Sequence, residues 1–282
     1  MEICRVRVVS EAGERLVGKP RGTYVTLDAP GLRDRDTAVQ ERLARLLGAE
    51  LRSLLDLGPD SSVFVVGLGN WNATPDAIGP RVVENLLVTR HLDRQVPRNL
   101  SGTLRSVAAL APGVLGLTGI ETGEVIRGIV DRIRPDVVLA VDALATRSIE
   151  RMLRTVQVAD TGIRPGSGVG NRRAGIDRDA LGVPVVAVGV PTVVHAATIA
   201  GDAIELLAER LGSKDPRAAE ALRGLLADGQ RDLIAQVLAP AVGDLMVTPK
   251  EVDVLVEDFS KVLAAGINAA IHPSLAEETA PL

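Results

Sequence analysis

The sequence contains few of the residues on which several common kinds of functional site depend. It has one cysteine, Cys4, which excludes an internal disulfide and any zinc site built from several cysteines. Three histidines, His91, His195 and His272, leave little material for a histidine-rich metal centre. Aromatic residues make up 1% of the chain, which argues against the stacking platforms that bind single-stranded nucleic acids. We therefore predict no metal, no cofactor and no nucleic-acid partner.

Long hydrophobic runs and a strong charge of one sign are also missing. No apolar stretch approaches the ~18 residues that would suggest a membrane-spanning helix, and the N-terminus lacks the apolar segment of a secretory signal. The 32 basic and 36 acidic residues give a formal charge of -4, which is too balanced for a general nucleic-acid binder. These absences predict a cytoplasmic protein that does not associate with membranes.

The middle of the chain alternates between short apolar segments and segments with helical spacing. The apolar segments predict strands at 62–69, 107–110, 135–141, 155–158 and 184–190. The other segments predict helices at 76–91, 121–133, 146–152 and 192–211. Strands that are apolar throughout are typical of a parallel sheet that is covered on both faces. We predict an α/β fold with a largely parallel sheet and helices on both of its faces, which is an αβα sandwich.

The length of 282 residues suits one large α/β domain or two small ones, and we predict a single domain. Its predicted parts, in chain order, are a small N-terminal β unit (1–30), the core sheet with its helices (60–211) and a group of C-terminal helices (212–272). Outside the core, helices are predicted at 36–57, 216–238 and 249–271.

Polar residues gather just after the predicted strands, where the carboxyl ends of parallel strands form one rim of the sheet. Asp142 directly follows the apolar strand at 135–141, and Asp76 lies at the start of the helix after the first core strand. Two carboxylates in one low-dielectric crevice are expected to separate their pKa values and share a proton. Such a pair can activate water and protonate a leaving amine, as peptide hydrolysis requires.

The same residues also fit ordinary structural roles. Thr74-Pro75-Asp76 is typical of a helix start in which Thr74 caps the helix, and an aspartate after a buried strand often caps the next helix. The glycine-rich stretch at 165–173, which ends in Arg172 and a second arginine, is either a flexible loop or a loop that engages an acidic peptide. The residues alone leave these alternatives open.

Several stretches of the sequence, in the same order along the chain, resemble the germination protease (spore protease) family. Together they cover roughly residues 15–272. The main ones are GLGNWNATPDAIGP at 67–80, APGVLGLTGIETGEVI at 111–126, VDALATRSIERM at 141–152, DTGIRPGSGVGNRR at 160–173 and GVPTVVHA at 189–196.

The resemblance implies a fold similar to that of the hydrogenase maturation endopeptidases, a homotetramer, and a protease with neither a serine nor a cysteine nucleophile. The family's proposed acid/base pair consists of two aspartates, which match Asp76 and Asp142. Family chains carry an N-terminal extension that is removed when a zymogen is activated, whereas this chain begins almost directly at the first predicted strand. His195 stands where relatives often have aspartate, which makes it a poor candidate for a required catalytic group.

The resulting hypothesis is an endopeptidase that initiates degradation of small acid-soluble spore proteins during germination, in the cytoplasm of the spore core. Asp76 and Asp142 would be catalytic, and Asn70, Asn72, Thr74 and Arg172 would bind or support the substrate. One alternative is a metal-dependent hydrolase or maturation-type endopeptidase on the same fold, with His195 as a nitrogen ligand. Another is a non-catalytic protein that binds spore proteins.

Overall fold

The computed structural model of the chain describes residues 1–94, 104–166, 174–224 and 245–272, together with positions 234, 236–238, 240 and 243. The strands in these residues are β1 (Glu2–Val8), β2 (Gly22–Asp28), β3 (Ser62–Gly67), β4 (Ser106–Leu110), β5 (Val137–Thr146), β6 (Thr155–Ala159), β7 (Val185–His195) and β8 (Met246–Val247). No helix in the described part of the chain is long and apolar enough to span a membrane.

The helices vary from single turns to twenty residues. They are α1 (Glu11–Val17), α2 (Thr37–Leu55), α3 (Ile78–Glu84), α4 (Leu115–Thr118), α5 (Thr122–Ile133), α6 (Arg178–Leu181), α7 (Ala196–Leu211), α8 (Pro216–Gly224) and α9 (Val252–Ile271). Short 3-10 turns lie at Leu32–Asp34, Thr74–Asp76, Arg90–Arg94 and Ile149–Arg151.

All these strands belong to one sheet, with the order β1-β2-β6-β7-β5-β3-β4 and with β8 added to β7. The four strands β4, β3, β5 and β7 run parallel, while β6, β2, β1 and β8 join antiparallel. The predicted α/β class is therefore confirmed, with the parallel part at the centre of the sheet. The N-terminal strands are not a separate layer, because β2 pairs with β6 and extends the same sheet.

The local sequence explains why α2 forms where it does. Asp36 caps its N-terminus by accepting hydrogen bonds from the amides of Ala38 at 2.9 Å and Val39 at 3.3 Å. Its buried leucines recur every four residues and form one apolar face. They are Leu43, Leu47, Leu51 and Leu55.

The two faces of the sheet have separate apolar cores. On β5, the side chains of Val137, Leu139 and Val141 belong to the core formed with α2, α3 and α9. The alternate residues Val138 and Ala140 belong to the core formed with α5 and α6. This alternation follows from the two-residue period of a strand, and it places helices on both sheet faces.

Three predicted helices differ from those in the structure. The predicted helix at 146–152 is wrong, because β5 continues through Thr146 and only a 3-10 turn follows at Ile149–Arg151. The predicted helix at 192–211 begins later, at Ala196, since β7 extends to His195. The predicted helix at 76–91 is reduced to α3. Much of the predicted helix at 216–238 lies outside the described residues.

Candidate active site

Asp142 lies inside β5 rather than after it. The neighbouring strand β3 ends at Gly67, which pairs with Val141, so Asp142 is the first residue of β5 beyond the end of β3. Strand alternation places its side chain on the same face as Ala140. The residue is only 6% exposed, and its Oδ1 accepts a hydrogen bond from the Ala143 amide at 2.9 Å. The side chain therefore lies just beyond the end of β3, within strands β5 and β7 that continue past it, and not after the end of its own strand as predicted.

Asp76 ends the 3-10 turn Thr74–Asp76, which contacts both β5 and β7. The Asn70 amide donates to the Asp76 carboxylate at 2.9 Å and to its carbonyl oxygen at 3.1 Å. The helix-start interpretation predicted a cap by Thr74, but the residue before the turn is Ala73, and no side chain caps it. The hydrogen bonds of the turn instead hold the Asp76 carboxylate against the preceding loop.

Two glycines allow the Asp76 segment to approach the strands closely. Gly69 has a φ of 118°, and a Cβ there would lie 1.9 Å from the Asp76 carbonyl oxygen. A Cβ on Gly79 would lie 2.6 Å from the carbonyl oxygen of Val141, the residue before Asp142. Only glycine fits at such distances. The two glycines thus bring the loop that carries Asp76 onto the strand that carries Asp142.

The three polar residues predicted to support the site belong to this same loop. The Asn70 Oδ1 accepts a hydrogen bond from the Asn72 amide at 2.9 Å. The Asn70 side chain therefore helps to shape the loop. The Thr74 carbonyl accepts from the Ala77 amide at 3.1 Å. Arg172, predicted to contact the substrate, lies outside the described residues.

Comparison with known proteins connects this geometry to a family. Residues 1–226 and 215–281 match the family model described as germination protease. The chain belongs to the germination protease family. A germination protease from Caldanaerobacter subterraneus subsp. tengcongensis is 50% identical over 281 residues, covering 99% of this chain and 87% of that protein. The germination protease of Bacillus subtilis is 42% identical over 306 residues, covering 96% and 83%.

Membership of the germination protease family makes the chain a peptide-bond hydrolase, an endopeptidase of spore germination. A hydrogenase maturation protease from Thermococcus kodakarensis aligns structurally with 51% of this chain and 80% of its own, at 19% identity. The TM-score of that alignment is 0.33.

The family assignment leaves open the alternative in which His195 binds a metal. His195 is the last residue of β7 and pairs with Met246 of β8. Asp142 pairs with Gly189 on β7, so His195 lies six residues further along, or about 20 Å at the rise of a strand. Within the described ranges, no group of three or more His, Cys, Asp or Glu side chains is arranged to hold a metal ion.

A cleft of about 410 Å³, lined in part by Gly189, the strand partner of Asp142, was not predicted from the sequence. Its lining includes Leu144 of β5 and Gly189 of β7. A Cβ on Gly189 would lie 2.4 Å from the Leu144 Cδ1, so the leucine side chain lies across the glycine. Strand alternation would have placed Leu144 on the same face as Asp142 if β5 had been predicted to continue. The strand pairing of Asp142 with Gly189, which brings Leu144 over the glycine, joins distant parts of the chain and leaves no local signal.

Proposed function

We propose that this endopeptidase cleaves small acid-soluble spore proteins at the start of germination, with Asp76 and Asp142 as its acid/base pair. The observation that carries the proposal is the close approach of the Asp76 turn and of Gly79 to β5, next to the strand position of Asp142. The cleft reaches Gly189, the strand partner of Asp142, and its volume of about 410 Å³ offers room for a polypeptide segment. We further propose that the enzyme is a homotetramer of the spore-core cytoplasm and is held as a zymogen before germination.

The proposed chemistry uses the two carboxylates in complementary protonation states. One ionised carboxylate takes a proton from water, whose oxygen attacks the carbonyl carbon of the scissile peptide bond. The other, protonated carboxyl gives its proton to the amide nitrogen as the C–N bond breaks. The products are a carboxylic acid and an amine, and one further proton transfer restores the starting pair. Because interacting carboxylates titrate jointly, the shared proton belongs to the pair.

Backbone amides orient both carboxylates before substrate binds. Asp76 accepts from the Asn70 amide and Asp142 accepts from the Ala143 amide, each at 2.9 Å. Each bond fixes the direction in which one carboxylate oxygen points. A catalytic pair with fixed orientations avoids the cost of reorganisation when charge moves during the reaction. This arrangement supports roles for these two aspartates beyond helix capping.

The test is digestion of a purified small acid-soluble spore protein, followed by mass spectrometry of the products. We expect discrete fragments from the wild-type enzyme and a rate lower by ~100-fold or more for Asp76→Asn and for Asp142→Asn. Asp131→Asn, which alters an exposed aspartate on α5, is the matched control and should cleave at the wild-type rate. Circular dichroism would establish that each variant is folded.

The same experiment separates the alternatives. Loss of cleavage in a chelator, with recovery on adding a divalent metal, would favour the metal-dependent hydrolase. A stable complex with the spore protein and no peptide products would favour the non-catalytic binder. Near-normal cleavage by a folded Asp76→Asn or Asp142→Asn variant would refute the aspartate-pair mechanism. Sedimentation velocity on the wild-type enzyme tests the tetramer.

A further inference from the structure

The single tryptophan of the chain lies at the tip of the loop that carries Asp76. Trp71 is 37% exposed and follows Asn70 directly. Asn70 anchors the loop at three points. Its amide donates to Asp76, its carbonyl accepts from the Ala73 amide at 3.1 Å, and its Oδ1 accepts from the Asn72 amide. A displacement of Trp71 is therefore transmitted to the amide that orients the Asp76 carboxylate.

An arginine on the next helix holds the tryptophan ring. The Arg81 guanidinium carbon lies 5.4 Å from the centroid of the Trp71 ring, within the range of a cation–π interaction. Arg81 also forms an exposed ion pair with Glu84, one turn further along α3, at 3.3 Å. The guanidinium thus connects the loop tip to α3.

The helix that carries Arg81 is well anchored in the core. Ile78 and Val82 of α3 are fully buried, and Gly79 packs against the backbone of β5 beside Asp142. A contact between Arg81 and Trp71 therefore ties the exposed end of the Asp76 loop to an element whose position relative to Asp142 is fixed. The hydrogen bonds inside the loop shape it, whereas this stack connects its tip to the rest of the site.

We propose that Arg81 is a positioning residue for the proposed peptide hydrolysis, and that its stack on Trp71 keeps the Asn70 amide on the Asp76 carboxylate. The proposal rests on the aspartate-pair function described above. Loss of the stack loosens the loop tip and lowers the fraction of molecules in which Asp76 is correctly oriented. Because Arg81 acts through the loop and not on the substrate, its removal lowers kcat and leaves KM unchanged.

The test compares Arg81→Gln, Arg81→Lys and the control Arg127→Gln, which alters an exposed arginine on α5. Cleavage of the spore protein gives kcat and KM, and acrylamide quenching of the single tryptophan reports the exposure of Trp71 without substrate. We expect Arg81→Gln to lose about two- to fivefold in kcat, the size of an exposed cation–π contact. Its tryptophan should be quenched more strongly, while Arg81→Lys should recover most of both losses. Arg127→Gln should match the wild type.

A double variant decides whether the two residues act together. The double variant Trp71→Leu/Arg81→Gln should have the same kcat as Trp71→Leu alone. The reason is that Trp71→Leu already removes the ring with which Arg81 interacts. Additive losses, unchanged quenching in Arg81→Gln, or an Arg81→Lys variant as slow as Arg81→Gln would each overturn the proposal. A wild type that cuts no spore protein would instead count against the proposed function, and the quenching measurements would still show whether the stack holds the loop.

Discussion

At the scale of single residues, the backbone conformation of Gly69 determines how closely the proposed catalytic residue Asp76 can approach. Its φ of 118° is rare for other residues, and a Cβ there would lie 1.9 Å from the Asp76 carbonyl oxygen. We expect Gly69→Ala to push the Asp76 turn away from β5. A displacement of about 1 Å can cost about 100-fold in rate, so kcat/KM for the spore protein should fall by about that factor. Steady-state digestion kinetics would measure it.

The control must separate backbone strain from displacement of Asp76. Gly182, at the C-terminal end of α6, also has a positive φ of 74°, but a Cβ there meets nothing within 4 Å. Gly182→Ala should therefore carry a backbone strain like that of Gly69→Ala, about 1–3 kcal/mol. The folded Gly182→Ala variant should retain the wild-type kcat/KM. Equal kcat/KM values for Gly69→Ala and the wild type would contradict the close approach that the structure shows.

At the scale of elements, α2 and α9 pack together through two glycines. A Cβ on Gly266 would lie 2.9 Å from the Ala44 carbonyl oxygen, and one on Gly48 would lie 3.1 Å from the Gly266 carbonyl oxygen. Since the obstacles are backbone atoms, a larger residue separates the helices. We expect Gly266→Ala to reduce the free energy of unfolding by about 1–3 kcal/mol, as measured by urea denaturation.

Gly128 of α5 provides the comparison for that prediction. It also lies inside a helix, but a Cβ there meets nothing within 4 Å. Gly128→Ala should raise the free energy of unfolding by about 0.5–1 kcal/mol, because alanine loses less conformational entropy in a helix. If both variants were stabilised alike, the close contact between α2 and α9 would not exist in solution.

The ends of β5 and β7 show where sequence patterns stop being informative. Asp142 interrupts the apolar run of β5, so the pattern predicts a strand end at residue 141, yet pairing continues as far as Thr146 with Val194. A shift in register between Leu144 and Ala145 allows this extension. The candidate aspartates were proposed from local signals, although the strand end expected before Asp142 is absent. The cleft could not be predicted, because Leu144 and Gly189 meet only through strand pairing across the sheet.

At the scale of the whole molecule, the parallel centre of the sheet could be predicted and its antiparallel additions could not. The pairing of β2 with β6 joins residues more than a hundred positions apart, such as Tyr24 and Ala159. The apolar content of these strands is compatible with either direction, so periodicity alone does not fix it.

A partly buried cluster of hydrogen bonds near residue 272 connects elements that are distant in the sequence. The Arg105 guanidinium donates to the carbonyls of Leu57 at 3.0 Å and Gly58 at 2.7 Å, beyond the end of α2, and also to that of Ile271 at the end of α9. His272 is fully buried, and its Nδ1 accepts from the Arg105 amide at 3.3 Å. Burial lowers the pKa of His272, and the positive charge of Arg105 lowers it further, against the opposing hydrogen bond to the Leu87 carbonyl.

This environment makes the folded state sensitive to acid. Because the pKa of His272 is lower in the folded than in the unfolded chain, the unfolded chain binds more protons as the pH falls below about 6.5. Stability is unaffected by this group above that pH, and declines from there down to the folded-state pKa. Between pH 7 and pH 5, we expect the free energy of unfolding in urea to fall more for the wild type than for His272→Gln. The slopes of unfolding free energy against pH should differ by at most ~1.4 kcal/mol per pH unit.

The control for this prediction is a histidine outside the cluster. His91→Gln, which alters an exposed histidine, should retain the wild-type slope. The His272→Gln variant itself should be less stable at pH 7.5, because it disturbs the cluster around Arg105. The test therefore compares how the free energy of unfolding changes with pH, and not its absolute value. A slope in His272→Gln as steep as that of the wild type would mean that other groups cause the loss of stability in acid.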